Sequence, residues 1–89
     1  MTIRKFYQLI RRPDVLQLTA RSKSALQLDE KNGLFVPPIS IGARAVAYIK
    51  HEVEAVIDAR IQGKPEDDIR ELVSTLIEAR GSNHGGIEA

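Results

Sequence analysis

Arg12-Pro13-Asp14-Val15-Leu16-Gln17-Leu18-Thr19-Ala20-Arg21-Ser22-Lys23-Ser24-Ala25-Leu26-Gln27-Leu28 is the stretch on which the fold turns. Pro13 suits the first turn of a helix, because its φ is already helical and the N–H it lacks would have no partner there. Asp14 adds a negative charge at the positive end of the helix dipole. Val15, Leu16 and Leu18 supply a side to bury. Thr19-Ala20-Arg21 is too short for anything but a turn, and Ser22 is a good N-cap for a second helix reaching about Asn32, where Gly33 stops it. Leu26 and Leu28 are the apolar anchors of that second helix; its later half, Asp29-Glu30-Lys31-Asn32, is polar. Two helices joined by so short a turn form the helix-turn-helix pattern, whose second helix is offered to the DNA major groove. An αα-hairpin in any helical bundle has the same outline, so these residues alone leave both readings open.

Outward from this stretch the texture changes. Pro37-Pro38 exclude a helix, Ile39-Ser40-Ile41 alternates at the strand period, Gly42-Ala43-Arg44 reads as a turn, and Ala45-Val46-Ala47-Tyr48-Ile49 returns as a second strand. This hairpin is the expected wing. From Lys50 the helical period takes over, with Val53, Val56, Ile57 and Ile61 on one stripe and Glu52, Glu54, Asp58 and Arg60 off it, until Gly63. Pro65 opens a last helix with Glu66, Asp67 and Asp68 in its first turn, and Ile69, Leu72, Val73, Leu76 and Ile77 follow at i, i+3, i+4, i+7 and i+8. Gly81 is the expected C-cap and the rest a frayed tail. The fold class is therefore α+β, mainly helical: a winged helix-turn-helix over 1–63, a C-terminal packing or dimerisation helix over 64–81 that closes a helical hairpin, and a tail over 82–89.

At 89 residues, 43% hydrophobic and 28% charged, the chain has the balance of an ordinary globular domain. The absence of cysteine excludes disulfides, thiolate metal sites and a cysteine nucleophile. No apolar run reaches the length of a membrane span, and the start Met1-Thr2-Ile3-Arg4-Lys5-Phe6 lacks an apolar segment after its charges, so a cytoplasmic protein with no membrane contact is expected. The net charge of +1 conceals a division: up to Lys50 there are nine Lys/Arg and three Asp/Glu, and beyond it four and nine, giving +6 and −5. Such a division suits a basic surface facing phosphate and an acidic part that points elsewhere or meets a basic partner.

The runs Arg11-Arg12-Pro13-Asp14-Val15-Leu16-Gln17-Leu18-Thr19, Ser22-Lys23-Ser24-Ala25-Leu26, Gly33-Leu34-Phe35 and Pro38-Ile39-Ser40-Ile41-Gly42-Ala43-Arg44-Ala45-Val46, in this order and spacing, resemble the AlpA family of prophage and genomic-island regulators. The segments Glu52-Val53-Glu54-Ala55, Ala59-Arg60-Ile61-Gln62-Gly63-Lys64 and Asp67-Asp68-Ile69-Arg70-Glu71-Leu72-Val73 are similar to a C-terminal extension in one branch of that family. Family members are similar to phage excisionases and to the DNA-binding domain of MerR-type regulators. The resemblance implies a winged helix-turn-helix that binds duplex DNA near integrated elements, as a transcriptional regulator, an excision directionality factor, or both. Gln27 stands where many relatives carry an aromatic, Arg21 where an apolar residue is common and Ala25 where threonine is frequent, so a relative's operator does not transfer to this chain.

The expected DNA-binding residues are Arg11, Arg12, Ser22, Lys23, Ser24, Gln27 and Arg44. Ser22, Lys23 and Ser24 place a cap, a cation and a hydroxyl where unpaired N–H groups and the helix dipole favour a phosphate. Gln27, one turn on, has the carboxamide that pairs bidentately with adenine. Arg11 and Arg12 flank the first helix, and Arg44 at the hairpin tip reaches a backbone phosphate or a narrow minor groove. For each there is a plainer alternative: capping for Ser22, a solvated face for Lys23, exposure for the arginine pair, a salt bridge for Arg44. Lys31 is the partner of the second helix's C-terminal dipole. Ile69, Leu72, Val73, Leu76 and Ile77 either close over their own domain or meet a second copy, and integrase or RNA polymerase contacts are further expectations.

No catalytic group, metal site or cofactor is expected. His51-Glu52-Val53-Glu54-Ala55 holds half a zinc-protease motif with alanine where the second histidine is required, and His84 lies in the tail. There is neither a nucleophile-base constellation nor a glycine-rich phosphate loop. The alternative function is a protein-interaction adaptor or inhibitor working through the acidic C-terminal helices.

Overall fold

The computed structural model describes residues 7–85, with side chains from Tyr7 to Arg80. The elements are β1 (Leu9–Ile10), α1 (Arg12–Thr19), α2 (Lys23–Lys31), β2 (Ile39–Ser40), β3 (Val46–Ile49), α3 (Lys50–Ile61) and α4 (Glu66–Gly85). The architecture is α+β, mainly helical and winged-helix-like.

The sheet has the order β1-β3-β2 and is antiparallel throughout, with Leu9 opposite Ile49 and Ser40 opposite Val46. β2 and β3 are the expected hairpin, closed where the Ile41 N–H donates to the Ala45 carbonyl over 2.9 Å. β1 was not legible in advance: two residues show no alternation, and what makes them a strand is the unpaired edge of β3, reinforced by the Lys50 N–H donating to Gln8 O at 2.7 Å. As the central strand, β3 is covered on both faces, so that Ala47 and Tyr48 are both buried although they point opposite ways.

One core joins every helix: Val15 of α1, Leu26 of α2, Leu34-Phe35-Val36 of the connection, Tyr48 of β3, Val53, Val56 and Ala59 of α3, and Ile69 and Val73 of α4. Pro13 occupies the first turn of α1 and Ser22 caps α2, its Oγ accepting the Ala25 N–H at 3.2 Å. Gly33 and Gly63, at φ of 77° and 78°, hold the left-handed turns after α2 and α3.

Several expected buried positions are turned outward. Leu28 is 55% exposed because it lies roughly 200° around the helix from Leu26; the inward face continues instead through Asp29 and Glu30, three and four residues on. Leu18 and Ile61, at 51% and 78% exposed, line an open groove of about 350 Å³ between the end of α1 and α3. Glu52, expected off the apolar stripe, is buried at 1% exposure, since it shares the inward face with Val56 and Ala59, and it is paired there with Arg80. Gly81 does not cap α4, which continues to Gly85; residues 82–85, expected in the tail, are helical, and 86–89 lie outside the described residues. Among the described residues no helix is long and apolar enough to cross a membrane.

Candidate nucleic-acid interface

The first two turns of α2 bring together four of the seven expected contact residues. Ser22, in extended backbone before the helix, presents its hydroxyl to the Ala25 N–H, leaving Lys23, Ser24 and Gln27 exposed on the helix that follows. Lys23, Ser24 and Gln27 make no side-chain hydrogen bond or ion pair with the described residues, so their polar groups meet solvent. A cation, a hydroxyl and a carboxamide at the positive end of a capped helix have the chemistry to hold a phosphate and to pair with a base edge.

The remaining three are placed separately. Arg11 is exposed at the N-cap of α1, where its backbone carbonyl, and not its side chain, takes up the Asp14 and Val15 N–H groups. Arg12 turns inward: its Nε donates to the Tyr48 hydroxyl at 3.4 Å and its guanidinium lies 5.9 Å from the centre of the Tyr48 ring. Half-buried and so engaged, Arg12 has less freedom to reach phosphate than its sequence position implied. Arg44 stands exposed in the bend between β2 and β3, with no bond among the described residues to the group on α2. The surface thus offers a cluster on α2 and isolated cations at Arg11 and Arg44.

What sets the attitude of α2 is a polar chain that sequence reading missed. Tyr48 donates its hydroxyl to the Glu30 carboxylate while receiving Arg12, so a single buried phenol links α1, α2 and the sheet. Withdrawal from water, then the bond to Glu30, push the Tyr48 pKa up to about 12, against an opposing pull from Arg12. These partners lie 18 and 36 residues apart, which no local pattern signals. Arg21, the polar residue between the helices, pairs bidentately with Asp29 through two bonds of 2.9 Å, explaining both that residue and the aspartate on the inward face of α2. At the far end of α2, Lys31 is exposed in the last turn, and Arg70 of α4 donates to the Asn32 carbonyl at 3.0 Å.

On α4, Ile69 and Val73 are enclosed in the chain's own core and are not available to a partner, because α4 packs inward along that stripe. Leu72 and Leu76 are half-buried against it, and Ile77 is 39% exposed. His51 is exposed and its ring lies tilted at 39° against that of Tyr7, 5.3 Å between centroids. Among the described residues no three His, Asp or Glu side chains are grouped as metal ligands.

Among curated proteins and among solved structures none matches the chain significantly. The family model described as prophage CP4-57 regulatory protein (AlpA) matches residues 8–61, from β1 through the helix-turn-helix and the hairpin to the end of α3. The chain belongs to the AlpA family of prophage regulatory proteins.

Proposed function

We propose that this chain is a sequence-specific transcriptional regulator of a prophage or genomic island that binds duplex DNA through α2 and the β2–β3 wing. The observation that carries this reading is the start of α2, capped by Ser22, where Lys23, Ser24 and Gln27 stand together, exposed and without side-chain partners among the described residues. In this reading Lys23 and Ser24 hold phosphate, Gln27 meets a base edge, and Arg44 and Arg11 clamp the backbone to either side. Arg12 acts chiefly by holding α1 to Tyr48. Regulation follows from occupying or bending promoter or attachment-site DNA, and the same contacts serve an excision factor.

A salt titration of binding, to random duplex and to DNA from upstream of the gene, tests it. Each of Lys23→Ala and Arg44→Ala is expected to weaken binding to both duplexes and to lower the slope of log affinity against log salt by about 1. Absence of binding to either duplex at low salt sinks the reading and favours the adaptor alternative, in which the acidic surface of α3 and α4 meets a protein. Homodimerisation in solution would have Ile77 and the rims of Leu72 and Leu76 to use, and is checked by sedimentation.

A further inference from the structure

We infer that Leu28 is a specificity-determining residue that reads the 5-methyl group of a thymine in the major groove. The inference rests on the DNA-binding reading above and extends it to a base. Leu26 fixes which side of α2 faces the core, and Leu28, two residues on, is turned outward at 55% exposure. On the outer side it stands one turn from Ser24 and Lys31 and next to Gln27, all exposed and polar. Leu28 is thus the single aliphatic side chain in a stripe of i, i+3, i+4 and i+7 positions, the spacing at which a homeodomain recognition helix meets its bases.

Leu28 is not enclosed by the described residues. The groove lined by the exposed Leu18 and Ile61 does not include it, and it has no place in the core. On the floor of the major groove the thymine methyl is the apolar group that separates an A·T pair from the others, and aliphatic side chains recognise it by contact. A cytosine in the same place would present an amino donor to leucine and leave it unpaired, which adds discrimination. Gln27, adjacent in sequence and on the same face, supplies the hydrogen-bonding partner for an adenine, so the two residues together specify neighbouring A·T pairs.

The full-length protein is used to select duplexes from a random pool, and each thymine of the selected sequence is then replaced in turn by deoxyuridine, which removes the methyl group alone. At one position wild-type affinity is expected to fall about four-fold, the effect of one methyl group returned to water. Leu28→Ala should lose a similar factor on the thymine duplex and be indifferent to deoxyuridine at that position. A protein that binds its selected duplex specifically yet tolerates every deoxyuridine replacement overturns the assignment of Leu28 and leaves the DNA-binding reading standing. So does a Leu28→Ala variant that keeps the wild-type response. Failure to select any duplex overturns the DNA-binding reading and this inference with it. The wild-type series needs no variant, and an unchanged thermal midpoint for Leu28→Ala shows that its fold is intact.

Discussion

Ala20 ends α1 in the left-handed region, at φ 58° and ψ 32°, the conformation that brings a Cβ against the following carbonyl. The turn keeps it there because its N–H and that of Arg21 donate to Gln17 and Leu16 at 3.4 and 3.3 Å, closing the end of the helix. Ala20→Gly is expected to stabilise the protein by about 1 kcal/mol, the relief of strain exceeding glycine's greater freedom in the unfolded chain. A higher urea midpoint at unchanged slope is the signature. Tyr48 makes a second prediction at this scale. Below pH 10 its phenol is protonated in folded and unfolded chains alike; between pH 10 and about 12 the unfolded chain releases the proton while the folded one retains it, so stability falls as pH rises through that window. Tyr48→Phe should remove that component of the fall, and at neutral pH should cost about 1 kcal/mol through the lost bond to Glu30. Denaturation curves of both proteins from pH 8 to 11.5 decide it.

Between elements, the hairpin of α3 and α4 is clamped by Glu52 and Arg80. Arg80 Nε donates to Glu52 Oε2 at 2.9 Å, and Nη2 donates both to the other carboxylate oxygen and to the Pro37 carbonyl, tying the last helix to α3 and to the connection before the wing. Arg80→Ala leaves a carboxylate of 1% exposure uncompensated and is expected to destabilise by about 3–5 kcal/mol. Replacing the pair together, Glu52→Leu with Arg80→Met, should recover most of that loss, and chemical denaturation of the three variants measures it. The same pair shows why helix patterns were read correctly as helices but incompletely as faces. Val53 and Val56 marked the stripe of α3, yet a charged Glu52 on that stripe is told from a solvated one only by an arginine 28 residues away. Leu28 is the converse case, an apolar residue assigned inward by type although its angle from Leu26 places it outward.

For the molecule as a whole, the consequential feature is that α4 belongs to the same core as the helix-turn-helix. Ile69 and Val73 pack with Leu26, Phe35 and Val56, and Arg70 reaches the end of α2 at Asn32. A chain truncated after Lys64 is therefore expected to lose most of its helical circular dichroism, and duplex binding with it, since Glu52 loses its partner and the core loses one wall. A truncated chain that keeps its helical signal and binds duplex as the full chain does would show α4 to be dispensable to the DNA-binding fold.

By itself the sequence determined the order of the four helices and the hairpin, the cap at Ser22, the glycine stop at Gly33 and the grouping of Lys23, Ser24 and Gln27. Each of these depends on contacts within a few residues, where propensity, capping and periodicity act. Only the tertiary structure decided that Leu9-Ile10 is a strand, that Arg12 faces Tyr48, that Glu52 is buried and that Ile69 and Val73 close their own core. The physical reason is common to all four: strand pairing, burial and polar pairing are set by what another element brings near, and residues far apart in sequence supply it.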